Sequence, residues 1–257
     1  MSGRERISSA IRAANSRGGP ALVGFMTAGY PSRERFREHL QSIAAGADVI
    51  EVGVPFTDPM ADGVTIQRAS RAALAQGVSL RWILKELAAM RLPVPVILMS
   101  YMNPLLAIGL ARLCQSALEA NVAGFIVPDL PLDESHALRA ALAPHALALI
   151  QMVTPVTSAA RLAQLCDTSQ GFVYAVTMTG TTGRSVAVPQ TVLDYLDRVR
   201  ARARIPVCAG FGIRNREQVS LLADHVDGVI VGSALVEVLE RDEDPAAWLA
   251  ALRTDAR

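Results

Sequence analysis

The sequence predicts an α/β fold: a TIM (β/α)8 barrel with an extra N-terminal helix, one domain over residues 1–257. Three observations carry that expectation. Short apolar runs alternate with longer amphipathic segments along the whole chain, eight times over, with no linker or shift in composition between them. The apolar runs are rich in Val, Ile, Leu and Phe with little alternation, as parallel strands buried on both faces must be. Hydrophobic residues make up 51% of the chain and charged residues only 19%, a balance that suits a sheet covered on both sides. Barrels of this kind commonly run to about 250 residues as one domain. The same alternation also allows a doubly wound open sheet.

Taken in order, residues 1–16 form an amphipathic helix ahead of the first strand. Strands are expected at 21–27, 48–52, 95–101, 124–127, 147–152, 171–177, 206–210 and 228–231. Helical stretches fall between them, among them 33–45, 105–119, 159–167 and 190–201, each mixing apolar and charged residues at helical spacing. Residues 245–252 read as a C-terminal helix. Right-handed β-α-β crossovers repeated eight times close a barrel.

Composition sets aside several function classes. The formal net charge is +1, which gives no general attraction for nucleic acid. The densest basic run, Arg198, Arg200, Arg202 and Arg204, reads as a solvated helix end. No apolar run reaches the roughly 18 residues of a membrane span, and the opening Met-Ser-Gly-Arg-Glu-Arg carries no apolar signal region. Cys114, Cys166 and Cys208 are far apart and form no Cys-x-x-Cys pair, as expected of structural thiols in a reduced, cytoplasmic compartment. His39, His136, His145 and His225 have no ligand spacing and join no Cys/His cluster, so no metal site is expected.

In a barrel the active site lies on the loops after the C-terminal ends of the strands. Two such loops are long: residues 53–63, Gly-Val-Pro-Phe-Thr-Asp-Pro-Met-Ala-Asp-Gly, and residues 178–185, Met-Thr-Gly-Thr-Thr-Gly-Arg-Ser. Ahead of the first stands Glu51, inside the apolar run Val49-Ile50-Glu51-Val52. A carboxylate buried there is costly unless paired or protonated. It is either an ion pair inside the barrel or a raised-pKa acid/base. Asp62, at the far end of the same loop, either faces the same substrate or caps the helix that starts near Gly63. Asp58 between Thr57 and Pro59 has the setting of a turn former.

A second cluster suits phosphate. Gly210-Phe211-Gly212 ends the seventh strand, and Gly232-Ser233 ends the eighth and opens a helix. Backbone N–H groups at a helix start hold anions, glycine lets them come close, and barrels often bind phosphate with these two loops. Gly183 in the loop after the sixth strand could close the site from another side.

The stretch Glu-Val-Gly-Val-Pro-Phe-Thr-Asp-Pro-Met-Ala-Asp-Gly-Val-Thr-Ile-Gln, residues 51–67, resembles the signature of the tryptophan synthase α subunit family. Further matches run along the chain: Phe-Met-Thr-Ala-Gly-Tyr-Pro at 25–31, Tyr-Met-Asn-Pro at 101–104, Val-Pro-Asp-Leu-Pro at 127–131, Thr-Gly-Thr-Thr-Gly at 179–183, Gly-Phe-Gly-Ile at 210–213 and Val-Gly-Ser-Ala at 231–234. The resemblance implies a retro-aldol lyase that cleaves indole-3-glycerol phosphate into indole and glyceraldehyde 3-phosphate, with no cofactor in this chain. It implies Glu51 as the acid/base and Asp62 as the carboxylate on the indole N–H. Gly183, Phe211, Gly212, Gly232 and Ser233 match the phosphate site. Phe25, Met99, Tyr101, Ile126, Met152 and Tyr174 fall where the family lines its indole pocket, and Asp58 and Thr182 where its loops close. It also implies a β subunit carrying pyridoxal phosphate, in an αββα heterotetramer, that takes the indole on to tryptophan. Gly24 stands where the family often has proline, and Thr181 where valine is common. A stand-alone indole-glycerol-phosphate lyase and an inactive paralogue kept as a binding subunit are the alternatives, and the presence of both Glu51 and Asp62 speaks against the second.

Overall fold

The computed structural model of the chain describes residues 1–177, 188–210 and 212–254. Eight parallel strands, β1 (Ala21–Thr27), β2 (Val49–Gly53), β3 (Val96–Met99), β4 (Val122–Ile126), β5 (Ala148–Val153), β6 (Val173–Val176), β7 (Val207–Gly210) and β8 (Gly228–Val231), pair in sequence order, and β8 pairs back onto β1. The closed barrel settles the choice against an open sheet.

Helices surround it in the order α1 (Gly3–Asn15), α2 (Phe36–Gly46), α3 (Val64–Ala75), α4 (Leu80–Ala88), α5 (Met102–Ile108), α6 (Leu110–Glu119), α7 (His136–Leu142), α8 (Ala159–Thr168), α9 (Gln190–Arg202), α10 (Arg216–Leu222), α11 (Ser233–Glu240) and α12 (Pro245–Leu252). Because side chains alternate along a strand, two apolar clusters result. Leu22, Ile50, Val52 and Leu98 face the helices, while Val23, Val49, Ile97, Ile150 and Ile230 fill the barrel interior.

Helix α1 closes the N-terminal end of that interior. Ser2 and Glu5 form a reciprocal capping box at its start, and Ile7, Ile11 and Ala14 join the inner cluster. Ser8 Oγ donates to Gly171 O at 2.6 Å and Gly3 N to Ala146 O at 3.0 Å. Both acceptors precede a strand, so the plug sits at the end opposite the strand-end loops.

One helix differs from expectation. The stretch 105–119 is not continuous: it breaks at Gly109, whose φ of 84° is left-handed. The first half starts earlier than the periodicity suggests, at Met102, whose N–H is accepted by Asp129 Oδ1 at 2.9 Å. The third strand is accordingly shorter than 95–101, ending at Met99 so that Tyr101 can precede α5.

Candidate active site

Strand β2 carries the most unusual buried group. Its period places Ile50 and Val52 against the helices and Glu51 inside the barrel, in register with Phe25 of β1 and Ile97 of β3. Glu51 is 1% exposed, and its Oε2 has no hydrogen-bond partner among the described residues. Burial is the main reason its carboxyl is pushed up to about 8, and the nearby Asp62 charge adds to it. At neutral pH Glu51 is therefore mostly a neutral acid.

Two glycines admit aromatic rings beside it. A Cβ on Gly53 would lie 2.6 Å from Phe25 Cζ, and one on Gly210 2.4 Å from the Tyr174 hydroxyl. Any larger residue at either place would displace the ring. Burial pushes the Tyr174 hydroxyl well up, with Glu51 contributing second.

Asp62 reaches the same space from the loop after β2. Its N–H donates to Pro59 O at 3.1 Å, and its own carbonyl accepts from Gln67 Nε2 at 2.8 Å. The N-cap of α3 is Gly63, without a side-chain cap bond, so capping is not what Asp62 does. Tyr101, between β3 and α5, holds it instead. The hydroxyl donates to Asp62 Oδ2 at 3.2 Å and accepts from Ala61 N at 2.9 Å, and the ring stacks on Phe56 at 5.0 Å. Burial raises the Asp62 carboxyl to about 6, and the Tyr101 hydrogen bond partly offsets it. Asp62 is thus mostly ionised at neutral pH beside an acid that is not.

The third wall comes from β7 and β8. Gly212 follows β7 with φ 87°, which requires glycine. Gly232 is the N-cap of α11, whose first turn starts at Ser233 and leaves backbone N–H groups without helical partners. Between these walls lies a cavity of about 430 Å³, lined among others by Phe25, Glu51, Asp62, Met99, Tyr174, Gly212, Gly232 and Ser233. That volume is in the range of small-molecule sites, and it combines an apolar floor with few polar groups.

The chain matches the family described as "Tryptophan synthase alpha chain" over residues 11–256. It is 46% identical to the tryptophan synthase alpha chain of Nitratidesulfovibrio vulgaris over 249 residues, covering 96% of this chain and 97% of that one. To the corresponding chain of Carboxydothermus hydrogenoformans it is 42% identical, covering 91% and 89%. Among solved structures it resembles Mycobacterium tuberculosis tryptophan synthase in space group F222, with a TM-score of 0.89, 36% identity and 96% of each chain covered. It also resembles the alpha subunit from Legionella pneumophila, with a TM-score of 0.84, 31% identity and coverage of 98% and 97%. The chain belongs to the tryptophan synthase alpha chain family. That family catalyses the lyase cleavage of indole-3-glycerol phosphate, and an alpha chain of tryptophan synthase has a beta-subunit partner.

The alpha-chain positions expected from the sequence do not all reach the cavity. Tyr101 acts on it through Asp62. Ile126 and Met152 belong to or pack on the inner cluster without lining the cavity. Asp58 is exposed on the β2 loop, where its carboxylate accepts from Thr57 Oγ1 at 2.5 Å and its carbonyl from Met60 N at 2.9 Å. That is the arrangement of a turn former. Thr182, Gly183 and Phe211 lie outside the described residues. Sequence reasoning missed Ile66, Ile213, Arg214 and Ile230 on the cavity wall. Ile230 was findable, two residues before Gly232 and on the inward phase of β8. Arg214 carried no signal beyond following Gly-Phe-Gly-Ile. Among the described residues no helix is long and apolar enough to cross a membrane.

Proposed function

We propose that this cavity cleaves indole-3-glycerol phosphate, with Glu51 as acid/base and Asp62 as the carboxylate on the indole ring. The substrate lies with its ring over Phe25, Met99 and Tyr174 and its phosphate at the loops after β7 and β8. Asp62, ionised, accepts the indole N–H and stabilises positive charge on the ring as it is protonated. Glu51, protonated, gives its proton to the ring carbon that bears the glycerol chain. Its carboxylate then takes the proton of the side-chain hydroxyl next to that carbon. The carbon–carbon bond breaks, its electrons restore the aromatic ring, and the aldehyde forms. Glu51 ends protonated, ready for the next turnover.

The observation that carries this reading is a wholly buried carboxyl whose Oε2 has no partner among the described residues, beside a second carboxylate that stays ionised. Two titratable groups pushed to different pKa values by their surroundings make an acid/base assignment. The phosphate end rests on Gly212 and Gly232, which leave backbone room, and on the free N–H groups that open α11. Thr182, Gly183, Phe211 and Asp58 complete the site as the closing loops and the remaining phosphate donors. Ile126 and Met152 shape the pocket from behind.

The reaction takes place within one barrel domain, residues 1–257, in the cytoplasm. This chain supplies no organic cofactor; pyridoxal phosphate belongs to the β subunit, in an αββα heterotetramer that consumes the indole. The test is indole release by the purified chain, titrated with its β partner. Slow release that rises with the partner is expected, because a partner that favours the closed loops shifts their population. Rapid release that the partner leaves unchanged makes it a stand-alone lyase, and absence of release in either condition overturns the assignment.

A further inference from the structure

The cavity is chemically lopsided. Glu51 and Asp62 bring two carboxyls to it from β2 and its loop, and the phosphate end as described has only backbone N–H groups. Among its described lining residues the one basic side chain is Arg214, two positions after Gly212. Its backbone is fixed, with Arg214 N donating to Gln218 Oε1 at 2.7 Å. Its guanidinium is not committed to the interior. It pairs with Glu237 of α11, and the side chains are 47% and 27% exposed. Glu237 lies four residues after Ser233, so it is on the same helix face one turn below the free N–H groups.

We infer that Arg214 is a phosphate-binding residue whose guanidinium turns from Glu237 to the substrate phosphate, and that Glu237 opposes phosphate binding by competing for it. The inference rests on the phosphate site proposed above and adds to it a charged side chain. Water screens a half-exposed ion pair, so exchanging its partner costs little. A phosphate ester offers three acceptor oxygens and close to two negative charges near neutral pH, which a guanidinium meets with two parallel hydrogen bonds. A carboxylate one turn away repels the same dianion. Arg214 therefore also fixes orientation, since it draws the anionic end of the substrate away from Glu51 and Asp62.

The two halves of the pair predict opposite signs. Arg214→Gln should raise the inhibition constant of glycerol 3-phosphate and the KM for indole-3-glycerol phosphate by about tenfold or more at low salt. Inhibition by free indole, which has no phosphate, should stay within twofold of wild type. Glu237→Gln should tighten glycerol 3-phosphate severalfold. If the pair is only a clamp between α11 and the loop after β7, both variants lower the melting temperature and neither changes glycerol 3-phosphate affinity, which overturns the inference. A wild-type protein that is not inhibited by glycerol 3-phosphate overturns the phosphate site itself. A wild type that binds it, with Arg214→Gln binding equally well, removes only the arginine.

Discussion

Strand β2 and the residue before it hold two buried carboxyls, Asp48 and Glu51, and they are treated in opposite ways. Asp48, at the N-terminal end of the barrel, is 7% exposed and has a full set of partners. It accepts from Leu22 N at 2.8 Å, from Arg17 at 2.5 Å and from Arg253 at 3.1 Å. These bonds tie the segment after α1, the first strand and the chain after α12 to one point. Asp227 repeats part of the device before β8, accepting from Val207 N at 2.8 Å. Glu51, three residues on and at the other end of the barrel, is buried more deeply and has one oxygen with no partner among the described residues. One end of the barrel spends its buried charge on cohesion, and the other keeps a carboxyl uncompensated. The difference is what separates stability from chemistry in this fold.

The largest expected effect breaks the upper end. Glu51→Gln keeps the shape and removes the exchangeable proton. Indole release should fall by roughly 100- to 10,000-fold, the usual contribution of a general acid–base group. The same substitution should stabilise the protein. Folded Glu51 holds its proton up to about pH 8, whereas an unfolded glutamate releases it near its ordinary value of about 4.3. Between those limits the folded state binds more protons, so wild-type stability falls as pH rises through that window. The glutamine variant escapes this loss. Its melting temperature should exceed that of wild type by several degrees at pH 8 and converge on it near pH 4.5. A variant with near wild-type cleavage removes Glu51 from the mechanism.

The second effect breaks the lower end. Asp48→Ala leaves Arg17 and the Leu22 N–H without the acceptor they share, and Arg253 with its bond to Gly46 O. Losing one partner of a buried, hydrogen-bonded charge costs about 3–5 kcal/mol; denaturant unfolding should show a destabilisation toward the low end of that range because Arg17 is 59% exposed. kcat at a temperature where the variant is folded should stay within about twofold. A fall in kcat comparable to that of Glu51→Gln would mean that the two ends are coupled through β2 and that the contrast drawn above is wrong.

The lower end was hardly legible in the sequence, and the upper end largely was. An acidic residue inside Val-Ile-Glu-Val announces itself because a charge in an apolar strand has no cheap explanation. Asp48 stands at a strand edge, where an aspartate is unremarkable, and its partners Arg17 and Arg253 are brought to it only by closure of the chain. Strand positions followed from apolar runs, but their number allowed a barrel or an open sheet until the pairing of β8 with β1 closed it. Helix continuity was misread at Gly109, because the amphipathic spacing of 105–119 continues through the break and a single glycine does not reveal its φ. Asp62 was legible as a polar residue on a long loop, but not the choice between cap and site, which depends on where Tyr101 places its hydroxyl. Arg214 was invisible because its meaning comes from Glu237 and from the cavity wall, and both are tertiary.

The smallest effect sharpens the upper end by asking what keeps the two carboxyls apart in protonation. Cleavage needs Asp62 ionised and Glu51 protonated. The rate should therefore fall below about pH 6 as Asp62 gains its proton, and above about pH 8 as Glu51 loses its own, giving a bell-shaped profile of kcat/KM. Tyr101 enters on the acid side alone. Its hydroxyl donates to Asp62 Oδ2 and so favours the ionised form. Tyr101→Phe removes that bond while keeping the ring on Phe56. Asp62 should then hold its proton to higher pH, and the acid limb should move up by about one pH unit. The alkaline limb, set by the burial of Glu51, should not move. The loss of activity should thus be about fivefold at pH 6, approach tenfold well below it, and be small at pH 7.5. An equal loss at every pH would assign Tyr101 to packing against the indole rather than to Asp62. A limb that moves down would mean that the Tyr101 hydroxyl favours the protonated Asp62, and that it accepts from that carboxyl instead of donating to it.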